Sequence, residues 1–239
     1  MLDANSHPIL QMSSLDAHYG DFQALYGLDM EVQEGEVLAI IGANGAGKST
    51  LMRSVCGLID NEANQVKYRG QNIGNLRADQ VAKLGIALVP EGRQLFPSLS
   101  VEENLLIGGQ IGREGVWSLN RVFELFPILK ERRNVPSTAL SGGQQQMVAI
   151  GRALMSNPDL LLMDEISLGL APVIIKTIYD ALPGIIDDGM SVIIVEQDIT
   201  KALSVSSRVY CLQEGRVSLE GQSSTVSRED ISRAYFGME

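Results

Sequence analysis

Residues 36–49 read Glu36-Val-Leu-Ala-Ile-Ile41-Gly42-Ala-Asn-Gly-Ala-Gly-Lys48-Ser49. The first six are apolar after Glu36, the pattern of a short strand buried on both faces of a parallel sheet. The next eight match G-x-x-x-x-G-K-[ST] at every position. Such a loop cradles a phosphate only if successive backbone N–H groups point inward, which demands glycine at tight or positive-φ positions. A helix is expected from Lys48 to about Gly57, aiming the positive end of its dipole at the same anion. Lys48 brings a point charge for the β- and γ-phosphates, and Ser49 a hydroxyl for Mg²⁺. Strand, loop and helix in this order favour a phosphate site over a chance glycine-rich turn.

Two further apolar runs resemble that strand, Asp159-Leu-Leu-Leu-Met163 and Ser191-Val-Ile-Ile-Val195. Between them a helix opens at Pro172, with Ile174, Ile178, Ala181, Leu182 and Ile185 on one face. Strands alternating with helices predict an α/β fold with a parallel sheet and right-handed crossovers. The N-terminal part alternates differently. Leu10, Met12 and Leu15, then Leu25, Leu28, Met30 and Val32, read as strands divided by turns at Tyr19-Gly20-Asp21 and Glu34-Gly35. Residues 97–140 show no convincing strand. Ser100 and Glu103 have capping-box spacing, and Arg121-Val-Phe-Glu-Leu-Phe126 is a helical pattern. The tail returns to strands at 208–212 and 216–219, joined by a turn at 213–215, and ends in a helix near 229–236. The expectation is a single domain over 1–239: an α/β core at about 1–90 and 141–239, with an N-terminal antiparallel β portion and a helical subdomain at about 91–140.

The net charge of −10 leaves no electrostatic footprint for nucleic acid. A local nest of N–H groups can still hold an anion against that field. The two cysteines, Cys56 and Cys211, have no metal spacing and read as buried thiols in a reducing compartment. The opening MLDANSHPIL has no basic segment followed by an apolar one, so no secretion signal is expected. No apolar run approaches the roughly 20 residues needed to cross a bilayer. The expected location is cytosolic, with docking on a membrane protein open.

Two more constellations carry chemistry. Asp164-Glu165 ends the 159–163 strand, at the edge where open parallel sheets bind ligands. An aspartate there can hold Mg²⁺ through water, and the adjacent glutamate can polarise an attacking water. Leu140-Ser141-Gly142-Gly143-Gln144 opens a helix whose apolar face carries Met147, Ile150 and Leu154. Ser141 and Gln144 have capping-box spacing, and two glycines at a helix N-terminus make a second anion site.

The phosphate loop, LSGGQ and an aliphatic strand ending in Asp-Glu follow the order of ABC transporter nucleotide-binding subunits, and the resemblance covers essentially the whole chain. It implies an ATP-hydrolysing cassette of the P-loop class that uses ATP and Mg²⁺. ATP would be held by Gly42, Ala43, Asn44, Gly45, Ala46, Gly47, Lys48, Ser49 and Thr50, with Tyr19 stacking on adenine. For Tyr19 the plain alternative is an edge-strand tyrosine in a turn. Mg²⁺ would be held by Ser49, Asp164 and Glu91; Glu165, Gln197 and Lys48 would carry the hydrolysis. In this family two subunits pack head to tail, so Ser141, Gly142, Gly143 and Gln144 would reach the γ-phosphate of the opposite subunit.

Val89-Pro-Glu-Gly-Arg93, Ser167-Leu-Gly-Leu-Ala-Pro172 and Val195-Glu-Gln197 resemble the LivF-type ATPases of importers for branched-chain and other hydrophobic amino acids, with urea and amide importers close by. The implied partners are transmembrane permease subunits, a second paralogous ATPase or a second copy, and indirectly a periplasmic substrate-binding protein, at the cytoplasmic face of the inner membrane. A segment around Gln94 to Asn104 is expected to be helical and resembles the dock for the membrane subunits. Its Leu95, Phe96 and Leu99 either reach the surface or pack inward. Glu91 and Gln197 stand where most of the family has glutamine and histidine; Ile166 and Ala171 stand where proline and aspartate are usual. These departures put the hydrolysis rate and site-to-site coupling in question. An export ATPase is the rival reading. A GTPase is disfavoured by the lack of N-K-x-D, and a non-transport ABC protein by the single acidic cassette.

Overall fold

The computed structural model describes residues 8–187 and 189–236. Residues 1–7, which carry most of the stretch read for a secretion signal, lie outside the described residues. In chain order the elements are β1 Leu10–Tyr19, β2 Phe22–Val32, β3 Val37–Gly42, α1 Lys48–Val55, β4 Val66–Tyr68, β5 Gln71–Asn72, α2 Ala78–Leu84, β6 Ile86–Val89, α3 Val101–Gly109, α4 Leu119–Leu125, α5 Pro127–Glu131, α6 Gly142–Leu154, β7 Leu160–Asp164, α7 Pro172–Ile186, β8 Ser191–Val195, α8 Ile199–Val205, β9 Arg208–Gln213, β10 Arg216–Gln222 and α9 Arg228–Phe236. A single 3-10 turn at Ser137–Ala139 precedes α6. Contacts divide the chain into two compact units, Met1–Val81 with Ser191–Glu239, and Ala82–Met190.

The first unit holds an antiparallel sheet in the order β2-β1-β4-β5, and a row β10-β9-β3-β8 that is parallel at β9/β3 and β3/β8. All six residues of β3 are buried, as are all five of β8, which is why both read as unbroken apolar runs. Each fully buried aliphatic side chain there is worth about 1.5–3 kcal/mol relative to exposure. Ile41 stands beside Cys211 in register, and Cys56 and Cys211 are both buried. Burial pushes the Cys211 thiol above its ordinary range, which suits a packing role rather than a nucleophile. Arg208 ties the strands together: its Nε donates to Glu36 Oε1 at 2.9 Å, and its Nη1 to Glu220 Oε1 at 3.0 Å. The hairpin β9–β10 turns through Glu214 and Gly215 at φ 47° and 74°, both left-handed, as a tight two-residue turn requires.

In the second unit β6 and β7 pair in parallel, Ile86 opposite Leu160 through Val89 opposite Met163. Helices α3, α4 and α6 converge at Gly151. A Cβ there would lie 2.7 Å from Val122 Cγ1 and 2.8 Å from Leu105 Cδ2, so only glycine permits the approach. Both expected capping boxes form, Ser100 with Glu103 on α3 and Ser141 with Gln144 on α6. On α7 the buried stripe is Ile175, Ile178, Leu182 and Ile185. Ile174 and Ala181, expected on that face, are half-buried at its edge.

The expected helix over Gln94 to Asn104 is corrected: residues 93–99 are irregular, and α3 begins only at Val101. Gly92, Arg93 and Gln94 are left-handed at φ 74°, 66° and 45°, and Pro97 lacks an N–H. The loop is held instead by buried Asn104. Its Oδ1 accepts from Phe96 N at 2.9 Å, and its Nδ2 donates to the Phe96, Leu99 and Ser100 carbonyls. Phe96 is 45% exposed, with the Arg152 guanidinium 5.6 Å from its ring centroid, while Leu95 and Leu99 are half-buried.

Candidate functional site

In the first unit the phosphate loop leaves β3 and enters α1. Gly42, Gly45 and Gly47 take φ 154°, 83° and 103°. Gly47 is doubly constrained: its φ suits glycine, and a Cβ would lie 2.7 Å from Leu25 Cδ2. The loop closes on itself through Ala46 N to Ala43 O at 3.1 Å and is braced by Gly215 N to Ala46 O at 3.0 Å. Gly215 was not singled out in the sequence, yet a Cβ there would collide with the Ala24 carbonyl and the Tyr26 ring. Its position in a strand-to-strand turn was the available signal.

Lys48 is buried and starts α1. Its Nζ donates to Gly42 O at 2.8 Å and Ala43 O at 3.0 Å, which places the cation inside the loop. Ser49 and Thr50 follow in the first turn, which contains no acidic residue to compete with a bound anion. Tyr19 is 43% exposed at the end of β1. Its hydroxyl lies 3.5 Å from Thr50 Oγ1 and accepts from Arg53 Nη1 at 3.4 Å. These bonds tie the Tyr19 hydroxyl to the first turns of α1. Gln197 follows β8 and is exposed; its Nε2 donates to Asn44 Oδ1 at 3.1 Å. The structure thus brings Tyr19, Asn44, Lys48, Ser49, Thr50 and Gln197 to one loop and one helix end. The Asn44–Gln197 link, with a sequence separation of 153 residues, was not legible beforehand.

In the second unit β7 delivers Asp164 and Glu165. Asp164 is buried at the strand end. Glu165 is half-buried at φ 48°, a left-handed conformation that costs a non-glycine residue about 1–3 kcal/mol and is typical of residues held for function. Ile166 is buried, so the position where proline is usual is filled by packing. Ala171 is the N-cap of α7 without a side-chain cap bond, so an aspartate's capping bond, worth about 0.5–2 kcal/mol, is forgone. Glu91 is exposed in the turn after β6. Ser141 caps α6: its Oγ accepts from Gln144 N at 3.3 Å, and Gln144 Oε1 accepts from Ser141 N at 3.0 Å. Gly143 is buried, and a Cβ would run into Ile174. Ser141 and Gln144 are thus fixed at the positive end of a 13-residue helix.

A parallel sheet with a strand–glycine loop–helix cradle, and an aliphatic strand ending in paired carboxylates, define a P-loop nucleoside triphosphatase. The ABC transporter family matches residues 25–167, and the chain belongs to that family. It is the ATPase subunit of an ABC transporter, hydrolysing ATP to drive transport. Among similar proteins is the high-affinity branched-chain amino acid transport ATP-binding protein BraG of Pseudomonas aeruginosa, 41% identical and covering 96% of this chain and 100% of that one. The probable branched-chain amino acid transport ATP-binding protein LivF of Archaeoglobus fulgidus is 33% identical and covers 89% and 92%. Among solved structures, a nucleotide-free ATP-binding cassette from an ABC transporter superposes with TM-score 0.80 at 28% identity, covering 95% of each chain. A dimeric post-hydrolysis cassette bound to ADP and Pi superposes with TM-score 0.79 at 27% identity, covering 90% and 98%. Among the described residues no helix is long and apolar enough to cross a membrane.

Proposed function

We propose that this subunit powers import of branched-chain or closely related amino acids. The observation that carries the reading is 41% identity along the full length of a branched-chain amino acid transport ATPase. The proposed partners are transmembrane permease subunits, a second ATPase subunit and, indirectly, a periplasmic binding protein. The proposed place is peripheral, on the cytoplasmic face of the membrane.

The loop residues 42–50 bind the triphosphate of ATP, Lys48 neutralises the β- and γ-phosphates, and Tyr19 stacks on the base. Ser49, Asp164 and Glu91 offer a hydroxyl and two carboxylates, all hard oxygen donors, and so suit Mg²⁺. When bound, that ion offsets the charge on the β- and γ-oxygens. Glu165 orients and polarises the attacking water. Ser141 to Gln144 approach the γ-phosphate of the opposite subunit with the N–H groups of α6. The helical subdomain over 91–140 carries the membrane dock.

The proposal is tested by reconstituting the chain with its cognate membrane subunits, second ATPase and binding protein in liposomes, and measuring ATP-driven uptake of labelled leucine against urea. Leucine uptake is the expected result, and transport of urea alone would replace the substrate class. In the same assay Phe96→Asp should lose at least about 10-fold in uptake while soluble ATP binding stays at the parental level. Phe96 is exposed, so its melting temperature should hold. A fall in melting temperature together with uptake would reassign Phe96 to packing.

Gln197 sets the rate of this site. A glutamine amide donates hydrogen bonds but cannot become a cation as histidine can. Loss of one well-placed donor at a developing oxyanion costs about 10²–10³ in rate, and Gln197 retains donor capacity, so its deficit is smaller. Single-turnover hydrolysis in the assembled transporter should be faster with Gln197→His and slower with Gln197→Ala. Equal rates in all three proteins would remove Gln197 from the mechanism.

A further inference from the structure

Arg93 occupies a position that neither charge nor backbone preference explains. Its φ of 66° lies in the left-handed region, between Gly92 at 74° and Gln94 at 45°. Three consecutive residues in that region, two of them not glycine, are locally unfavourable. Its guanidinium sits against the first turn of α6: a Cβ on Gly142 would lie 3.2 Å from Arg93 Nη2 and 3.5 Å from its Cζ. That end of a helix carries the positive end of the dipole, where a cation is disfavoured. The compensation is slight. Arg93 Nη1 reaches only the neutral Gln145 Oε1, at 3.5 Å; its Nε is buried without a partner, and Arg93 forms no ion pair among the described residues.

The backbone of Arg93 and Gln94 is bolted to the same helix nearly three turns beyond Gly142. Arg152 Nη2 donates to Arg93 O at 3.2 Å, and Nη1 donates to Gln94 O at 2.8 Å. Gln145, the residue that Arg93 touches, also donates through Nε2 to the Ser137 and Leu140 carbonyls, at 3.2 and 3.3 Å, and so holds the chain entering Ser141. Arg93 lies two residues after Glu91 and touches Gly142, inside Ser141–Gln144. The loop of Glu91 and the N-terminus of α6 are joined through one side chain.

We infer that Arg93 is a positioning residue that locks the Glu91 loop to the Ser141–Gln144 segment, so that a change at Glu91 in one ATP site moves the segment that completes the other. The inference rests on the proposed roles of Glu91 and of Ser141–Gln144. It gives a use to the strained backbone, which is retained because it sets the guanidinium against α6. It also accounts for the charge, which becomes favourable when an anion docks at the same helix end.

Arg93→Gly separates positioning from folding, because glycine tolerates φ 66°. In the assembled transporter this variant should keep or raise the parental melting temperature and bind ATP within about twofold of the parent. Its ATP turnover should fall about 10-fold, within the usual range of coupling effects, and the Hill coefficient for ATP should drop toward 1. Arg93→Gln, which keeps a polar side chain without the charge or fork, should show the same loss. Parental turnover and Hill coefficient in Arg93→Gly would overturn the inference. So would turnover that merely tracks melting temperature across the two variants. Glu165→Gln in the same preparation is the control: if it hydrolysed ATP like the parent, the underlying site reading would fail instead.

Discussion

Lys48→Ala should lose MgATP binding and at least about 10³ of hydrolysis. Lys48 is the only side-chain cation between Gly42 and Ser49, and its ammonium is buried within the loop, 2.8 Å from Gly42 O and 3.0 Å from Ala43 O. The triphosphate that Lys48 is proposed to face shifts charge toward its leaving-group oxygen as the γ-phosphoryl transfers, and positioned cations and donors there are each worth about 10²–10⁵ in rate. The overall charge of −10 adds to the need for this cation, which is the one side-chain charge in the loop that supplements the backbone N–H groups against the general field. Folding should survive, since the loop's own turn and its Gly215 brace are backbone bonds that the substitution leaves unchanged. Saturating ATP should raise the parental melting temperature, as about 2.7 kcal/mol of stabilisation at 100 times Kd requires, and leave that of Lys48→Ala where it was. Calorimetric ATP binding at parental affinity in the variant would remove the phosphate site from the loop.

The elements that position the loop were legible because their signals are strong and local. β3 and β8 are unbroken aliphatic runs, the cap boxes at Ser100 and Ser141 are explicit, and Pro172 marks the start of α7. Short or ambiguous signals were missed. The β4–β5 hairpin comprises three residues and two around an Arg69-Gly70 turn, too few for alternation to show. β6 is the four-residue run Ile86–Val89, which periodicity alone does not separate from a helix segment. The stretch after Glu91 is expected to be helical from its resemblance to the membrane dock, but its shape is set by left-handed residues and by Asn104, whose side chain captures three carbonyls. At the site, Lys48, Ser49, Asp164 and Glu165 follow from motifs. The contacts of Gln197 with Asn44 and of Arg93 with Gly142 depend on long-range geometry, which no local spacing encodes.

Glu165→Gln should bind ATP like the parent and cleave it at least about 10²–10³ more slowly. The substitution keeps size and hydrogen-bonding reach, so the left-handed backbone at Glu165 and the packing of Ile166 beneath it are undisturbed. It removes only the carboxylate proposed to polarise water, and general-base catalysis of this kind contributes about 10²–10⁴. With cleavage blocked, ATP should stay in place, and so should the contacts proposed between Ser141–Gln144 and an opposite γ-phosphate. Each ATP is proposed to be completed by the α6 N-terminus of a second subunit. Size-exclusion chromatography of Glu165→Gln with the cognate second ATPase tests it directly. Separate subunits without nucleotide and a stable ATPase pair with saturating MgATP are expected; subunits that stay separate at saturating MgATP would rule out a site shared between two subunits.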